Sequence, residues 1–131
     1  MTKEEVIITA ATWWADKLRK RQPHSNGDNS ASSIFACIFA DIGMKNVTED
    51  QYNVFERALA VGIEDQYKKY LENLNFPNIY VGCDYDPCSV LAEAADKAGI
   101  PTLNFPYKTH MQITKNEVFV ADGYGKPYVA I

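Results

Sequence analysis

Asn75-Phe76-Pro77-Asn78-Ile79-Tyr80-Val81 divides this 131-residue chain in two. Before it, apolar residues recur at helical spacing. After it they fall into short runs rich in β-branched and aromatic residues, the pattern of strands. Pro77 between two asparagines breaks a helix and favours a turn. Ile79-Tyr80-Val81 then reads as a short central strand.

Toward the N-terminus, Tyr52, Phe55, Leu59, Ile63, Tyr67, Tyr70 and Leu74 mark a long helix that ends near Leu74. Thr48 and Gln51 form its capping box, with Val47 and Tyr52 placed as a hydrophobic staple. A second helix precedes it, with Ile34, Phe35, Ile38, Phe39 and Ile42 on one face, Ala31, Ala36, Cys37 and Ala40 around the rest, and Gly43 as its left-handed cap. A polar loop, His24 to Ser30, connects it back to the first helix. There Thr2 and Glu5 make a capping box, Val6, Ala10, Trp14 and Leu18 form the inward stripe, Ile7, Ala11 and Trp13 widen it, and Pro23 stops it.

Toward the C-terminus, Asp86 is expected to cap a fourth helix with Pro87 at its first position. Val90, Leu91, Ala94, Ala95 and Ala98 face inward and Gly99-Ile100-Pro101 ends it. His110 to Thr114 and Glu117 to Ala121 read as a hairpin turned at Lys115-Asn116, and Asp122-Gly123-Tyr124-Gly125 turns into Tyr128 to Ile131. The expected fold is one α+β domain over residues 1–131: three N-terminal helices, a strand, a fourth helix and a C-terminal antiparallel β-meander.

Hydrophobic residues make up 47% and charged residues 23%, enough for a real core without metal or disulfide. The net charge of −4 disfavours nonspecific nucleic-acid binding, which depends on Lys and Arg neutralising phosphates. Met1 to Glu5 is polar, and no apolar run reaches the ~18 residues of a membrane span. The chain is therefore expected to be cytoplasmic. An odd number of cysteines, Cys37, Cys83 and Cys88, points to free thiols.

Cys88, in the first turn of a helix after a strand, would have its thiol pKa lowered by the helix dipole, and His110 opens a strand. That pair is the arrangement of papain-like cysteine hydrolases. The cysteines and histidines fit no zinc spacing, so neither metal nor cofactor is expected. Asp84 and Asp86, with Asp28, could meet a divalent ion or act as acid and base, but a helix cap and a turn explain the first two. Trp13 and Trp14 beside Lys17 to Arg21 combine an aromatic wall with cations, as a nucleotide-sized ligand requires. Tyr107 and Lys108, in a connection before a strand, could join Tyr124 as a recognition surface. The binding candidates are thus Trp13, Lys17, Arg21, Tyr107, Lys108 and Tyr124. A pocket for a nucleotide would be shared between subunits of a homo-oligomer.

Two resemblances add to this reading. Asp86-Pro87-Cys88-Ser89, followed by Leu91, Ala95, Lys97, Ala98 and Gly99, resembles the Asp-Cys-Ser-Gly region of bacterial NlpC-type cell-wall peptidases. Here Pro87 splits Asp from Cys, Val90 replaces the Gly, and only 21 residues separate Cys88 from His110. Trp13-Trp14-Ala15-x-Lys17-Leu18, Asn26-Gly27-Asp28, Pro106-Tyr107-Lys108-Thr109-x-Met111 and Gly123-Tyr124-Gly125-x-Pro127 resemble a group of small proteins of phages and integrative elements of clostridia and related Firmicutes. His110 is not part of that group's pattern. The second resemblance implies a non-enzymatic accessory protein, a counter-defence factor that blocks a host defence protein or sequesters a small nucleotide signal.

Overall fold

The computed structural model describes residues 1–20 and 47–131; the expected second helix, with Arg21, His24, Asp28, Cys37 and Gly43, lies outside them. The described residues hold three α-helices, α1 (Lys3–Lys20), α2 (Glu49–Gln66) and α3 (Ser89–Ala98), which corrects the expected count of four. Four strands, β1 (Ile79–Cys83), β2 (Thr109–Ile113), β3 (Val118–Asp122) and β4 (Val129–Ala130), form one antiparallel sheet in sequence order. The first strand is therefore part of the meander and lies at its edge, not at its centre. The helix α3 is inserted between two strands that pair directly, Gly82 facing His110.

The helices form by the local rules the sequence displays. Glu5 N–H donates to Thr2 Oγ1 at 3.2 Å. At α2 the capping box is complete: Thr48 Oγ1 accepts from Gln51 N–H, and Thr48 N–H donates to Gln51 Oε1 at 2.8 Å. The other end of the Gln51 amide spans to a second helix. Its Nε2 donates to the carbonyls of Ala98 (3.1 Å) and Gly99 (3.2 Å), so one side chain caps the start of α2 and the end of α3. Gly99 turns left-handed (φ 69°), and Gly99 N–H to Asp96 O with Ile100 N–H to Ala95 O complete a Schellman ending.

Beyond Gln66 the helix widens to a π-helix, Tyr67–Asn73. The apolar stripe Phe55, Leu59, Ile63, Tyr67, Leu71 steps by four, which drifts around a helix of about 3.6 residues per turn. The wider π turns take up that drift and keep Tyr67 and Leu71 inward. This corrects the expected stripe: Leu71 is fully buried, whereas Leu74 is 53% exposed.

The buried residues of all three helices and of β1 to β3 form one apolar cluster, with Trp14, Phe55 and Phe105 its largest members. Thr109, Met111 and Ile113 of β2, with Val118 and Val120 of β3, face the helices. Trp14 is core, and Trp13 stands edge-on to it, half-buried. The sheet has two unlike ends. At the Lys115-Asn116 hairpin, Tyr67 Oη donates to Lys115 O at 2.6 Å and the Met1 ammonium donates to Asn116 O at 3.1 Å, clamping the turn to the helix layer. At the other end, β1 finishes, β2 begins, β3 finishes and β4 begins.

Candidate functional site

That open end gathers tyrosines. Tyr85 follows β1, Tyr107 precedes β2, Tyr124 follows β3 and Tyr128 precedes β4, and all four are exposed. Sequential antiparallel pairing brings together turns that are up to 43 residues apart (Tyr85 to Tyr128). Tyr124 Oη donates to Tyr85 Oη at 3.0 Å, and Tyr85 and Tyr107 pack edge to face with centroids 5.7 Å apart. That hydrogen bond first, then burial, holds the Tyr124 phenol above its ordinary pKa.

Lys108 is the hub. Its backbone adopts a left-handed conformation (φ 52°), a region that disfavours side chains with a Cβ. Two bonds fix it there: Lys108 N–H donates to Asp84 O at 2.7 Å, and Gly123 N–H donates to Lys108 O at 3.2 Å. The loops after β1 and β3 are thus both tied to this one residue. Its ammonium lies over the rings of Tyr85 and Tyr124 and bonds Asp84 Oδ1 at 3.1 Å. His110 Nε2 bonds the same oxygen at 3.0 Å. The Lys108 ammonium, then His110, holds the Asp84 carboxyl below the usual carboxylate range.

Three of the six binding candidates, Tyr107, Lys108 and Tyr124, therefore come together as one surface. Asp84 and Tyr85 belong to it as well: the sequence singles out Asp84 as an acid/base or divalent-ion candidate rather than as part of this surface, and Tyr85 escaped the sequence reading, although both follow the strand that pairs with β2. Trp13 and Lys17 lie on α1. The Lys17 ammonium sits 5.6 Å from the Trp13 ring centre and is paired with Asp122, so Lys17 is neutralised by its own chain at the last residue of β3. Arg21 lies outside the described residues.

Cys88 and His110 flank the same strand position. Cys88 N–H donates to Gly82 O at 2.9 Å on one edge of β1, and His110 pairs with Gly82 on the other. The expected cap is corrected here: Cys88, not Asp86, is the N-cap residue of α3, and Pro87 instead bridges to Cys83. The Tyr80 phenol lies across Gly82, where a Cβ would fall 2.3 Å from its Oη. Tyr80 thus occupies the strip between thiol and imidazole, its centroid 5.7 Å from the His110 ring. Burial, then the nearby Cys88 and Asp84, pushes its pKa up to about 12. Among the described residues no hydrogen bond joins Cys88 to His110, and no three His, Cys, Asp or Glu side chains converge as a metal site.

Two hollows among the described residues are open to solvent. One of about 240 Å³ lies beside Tyr70, Phe76 and Tyr80, and another of about 360 Å³ beside Trp13 and Ile131. Among the described residues no helix is long and apolar enough to cross a membrane. No protein-family model matches the chain, and no curated protein is recognisably similar to it.

Proposed function

We propose that the protein acts by binding a protein partner through the tyrosine-rich end of its sheet. One observation carries this reading: Tyr85, Tyr107 and Tyr124 are exposed yet locked to one another and to Lys108 by specific contacts. Tyrosine supplies large contact area with few rotatable bonds, which is why it dominates binding hot spots. Rings already held in place lose little conformational entropy on association. If the chain shares the character of the mobile-element proteins it resembles, its partner is a component of host defence.

Sequestering a nucleotide is less well supported. Lys17 is already paired with Asp122 and Lys108 with Asp84, so a phosphate would have to displace a carboxylate at either cation. The cysteine-hydrolase reading draws on one feature, the orientation of His110 by Asp84, but requires Tyr80 to leave the strip above Gly82.

The test is a side-by-side comparison of biological effect. Tyr107→Ala with Tyr124→Ala is expected to abolish it, and Cys88→Ala to leave it intact. The reverse result would replace the binder with the hydrolase. Native mass spectrometry of the protein purified from producing cells completes the comparison. A retained mass matching a nucleotide would overturn the protein-partner reading in favour of sequestration.

A further inference from the structure

The contacts of Lys108 describe a seat for a cation. Its Nζ lies 4.7 Å from the centre of the Tyr85 ring, 5.9 Å from that of Tyr124 and 3.1 Å from Asp84 Oδ1. A cation held by aromatic faces and a carboxylate is the chemistry of aromatic cages, which take ammonium and guanidinium ligands. The walls have contacts of their own besides those to the lysine tail. Tyr85 and Tyr124 are joined through their hydroxyls, Tyr107 buttresses Tyr85, and the Lys108 backbone is fixed by Asp84 O and Gly123 N–H. The rings are 59% and 63% exposed, so the cage opens to solvent. Lys108 and His110 both approach the same carboxylate oxygen, Asp84 Oδ1.

We propose that Tyr85, Tyr124 and Asp84 form the receptor for an arginine side chain of a protein partner, and that Lys108 is an internal placeholder that yields it. The inference rests on the reading that this end of the sheet is the contact face. Arginine fits better than a second lysine. Its planar, weakly hydrated guanidinium stacks on tyrosine, and its donor fork matches a carboxylate. His110 keeps Asp84 oriented while the cation is exchanged.

The cage can be tested without the partner, using methylguanidinium as the probe and the tyrosine ring protons as the NMR readout. Lys108→Asn vacates the seat with a residue that tolerates left-handed backbone. In that variant the probe should shift the Tyr85 and Tyr124 resonances saturably, with half-saturation at least tenfold lower than in the wild type. Adding Asp84→Asn should reverse the gain. Equal, unsaturable responses in variant and wild type would overturn the proposal, as would shifts of those rings by inorganic phosphate in place of methylguanidinium. Should Lys108→Asn not fold, the wild type decides. Saturating methylguanidinium should raise the rate of reductive methylation at Lys108 relative to the other lysines, and an unchanged rate overturns the cage. If the cage fails while Tyr124→Ala still abolishes partner binding, the contact face stands and only the arginine is lost.

Discussion

The two ends of the sheet carry the same trio of lysine, tyrosine and carboxylate in opposite settings. At the hairpin end, Lys3 lies over the Tyr67 ring at 5.3 Å and pairs with Glu72 at 2.8 Å. At the open end, Lys108 lies over Tyr85 and Tyr124 and pairs with Asp84. Tyr67 is 5% exposed and spends its hydroxyl on a backbone carbonyl of the turn, so its trio closes the fold. Tyr85 and Tyr124 present their rings to solvent and hydrogen-bond to each other. The chemistry of a side-chain cluster does not decide its role. Burial does, because apolar area already removed from water stabilises the fold, whereas area still exposed is available to a partner.

The comparison breaks most visibly by truncation. Tyr67→Ala should destabilise the protein by about 3–5 kcal/mol, the range for emptying a large aromatic site. Tyr124→Ala should stay within about 0.5 kcal/mol, as surface substitutions do. Urea unfolding measures both. Comparable losses at the two sites would erase the distinction between the ends.

A smaller effect is expected on the helix side. Gln51→Glu keeps the acceptor that caps Thr48 but sets a carboxylate against the Ala98 and Gly99 carbonyls, at the negative pole of α3. The expected loss is about 1–2 kcal/mol, larger than for the isolated capping box, because a donor disappears and two carbonyls lose their partner. Gln51→Glu with unchanged urea midpoint would show that the bridge between helices contributes nothing.

The smallest effects are in pH dependence. The folded-state pKa of Asp84 is depressed by Lys108 and His110, so its contribution is present above the ordinary carboxylate range and lost as pH falls through the folded value. The wild type and Asp84→Asn should therefore converge in stability as pH falls below about 4. Tyr80 has the opposite sign. Its pKa is raised to about 12, so its contribution is intact below the ordinary phenol value of about 10 and lost as pH rises toward 12. Tyrosinate absorbance should show a late step near that pH, absent in Tyr80→Phe.

Much of the backbone was legible locally. The Thr48-Gln51 box, the Gly99 ending and the Lys115-Asn116 turn each announce themselves within a few residues, because caps and turns are short-range physics. The π-helix was not. Four-residue spacing and helical spacing look alike over two turns and separate only across the whole stripe from Phe55 to Leu71. Asp86 misled for a related reason, since Asp-Pro suits a helix start, yet here Pro87 is held by Cys83 and the helix begins two residues later. Of the site, Tyr107, Lys108 and Tyr124 could be named individually as loop residues. Asp84 could be named only as an acid/base or turn residue, and its place beside Lys108, like the whole of Tyr85, entered through pairing of β1 with β2, a long-range contact across the inserted α3 that no local pattern encodes.

The most direct test of the contact face uses one protein and two readouts: the unfolding free energy of Tyr124→Ala and its dissociation constant for the isolated partner. We predict unfolding within about 0.5 kcal/mol of the wild type and binding weakened at least about tenfold, roughly 1.4 kcal/mol. A variant that unfolds more easily by more than about 1 kcal/mol yet binds as tightly as the wild type would contradict the account, because Tyr124 would then belong to the fold and not to the interface.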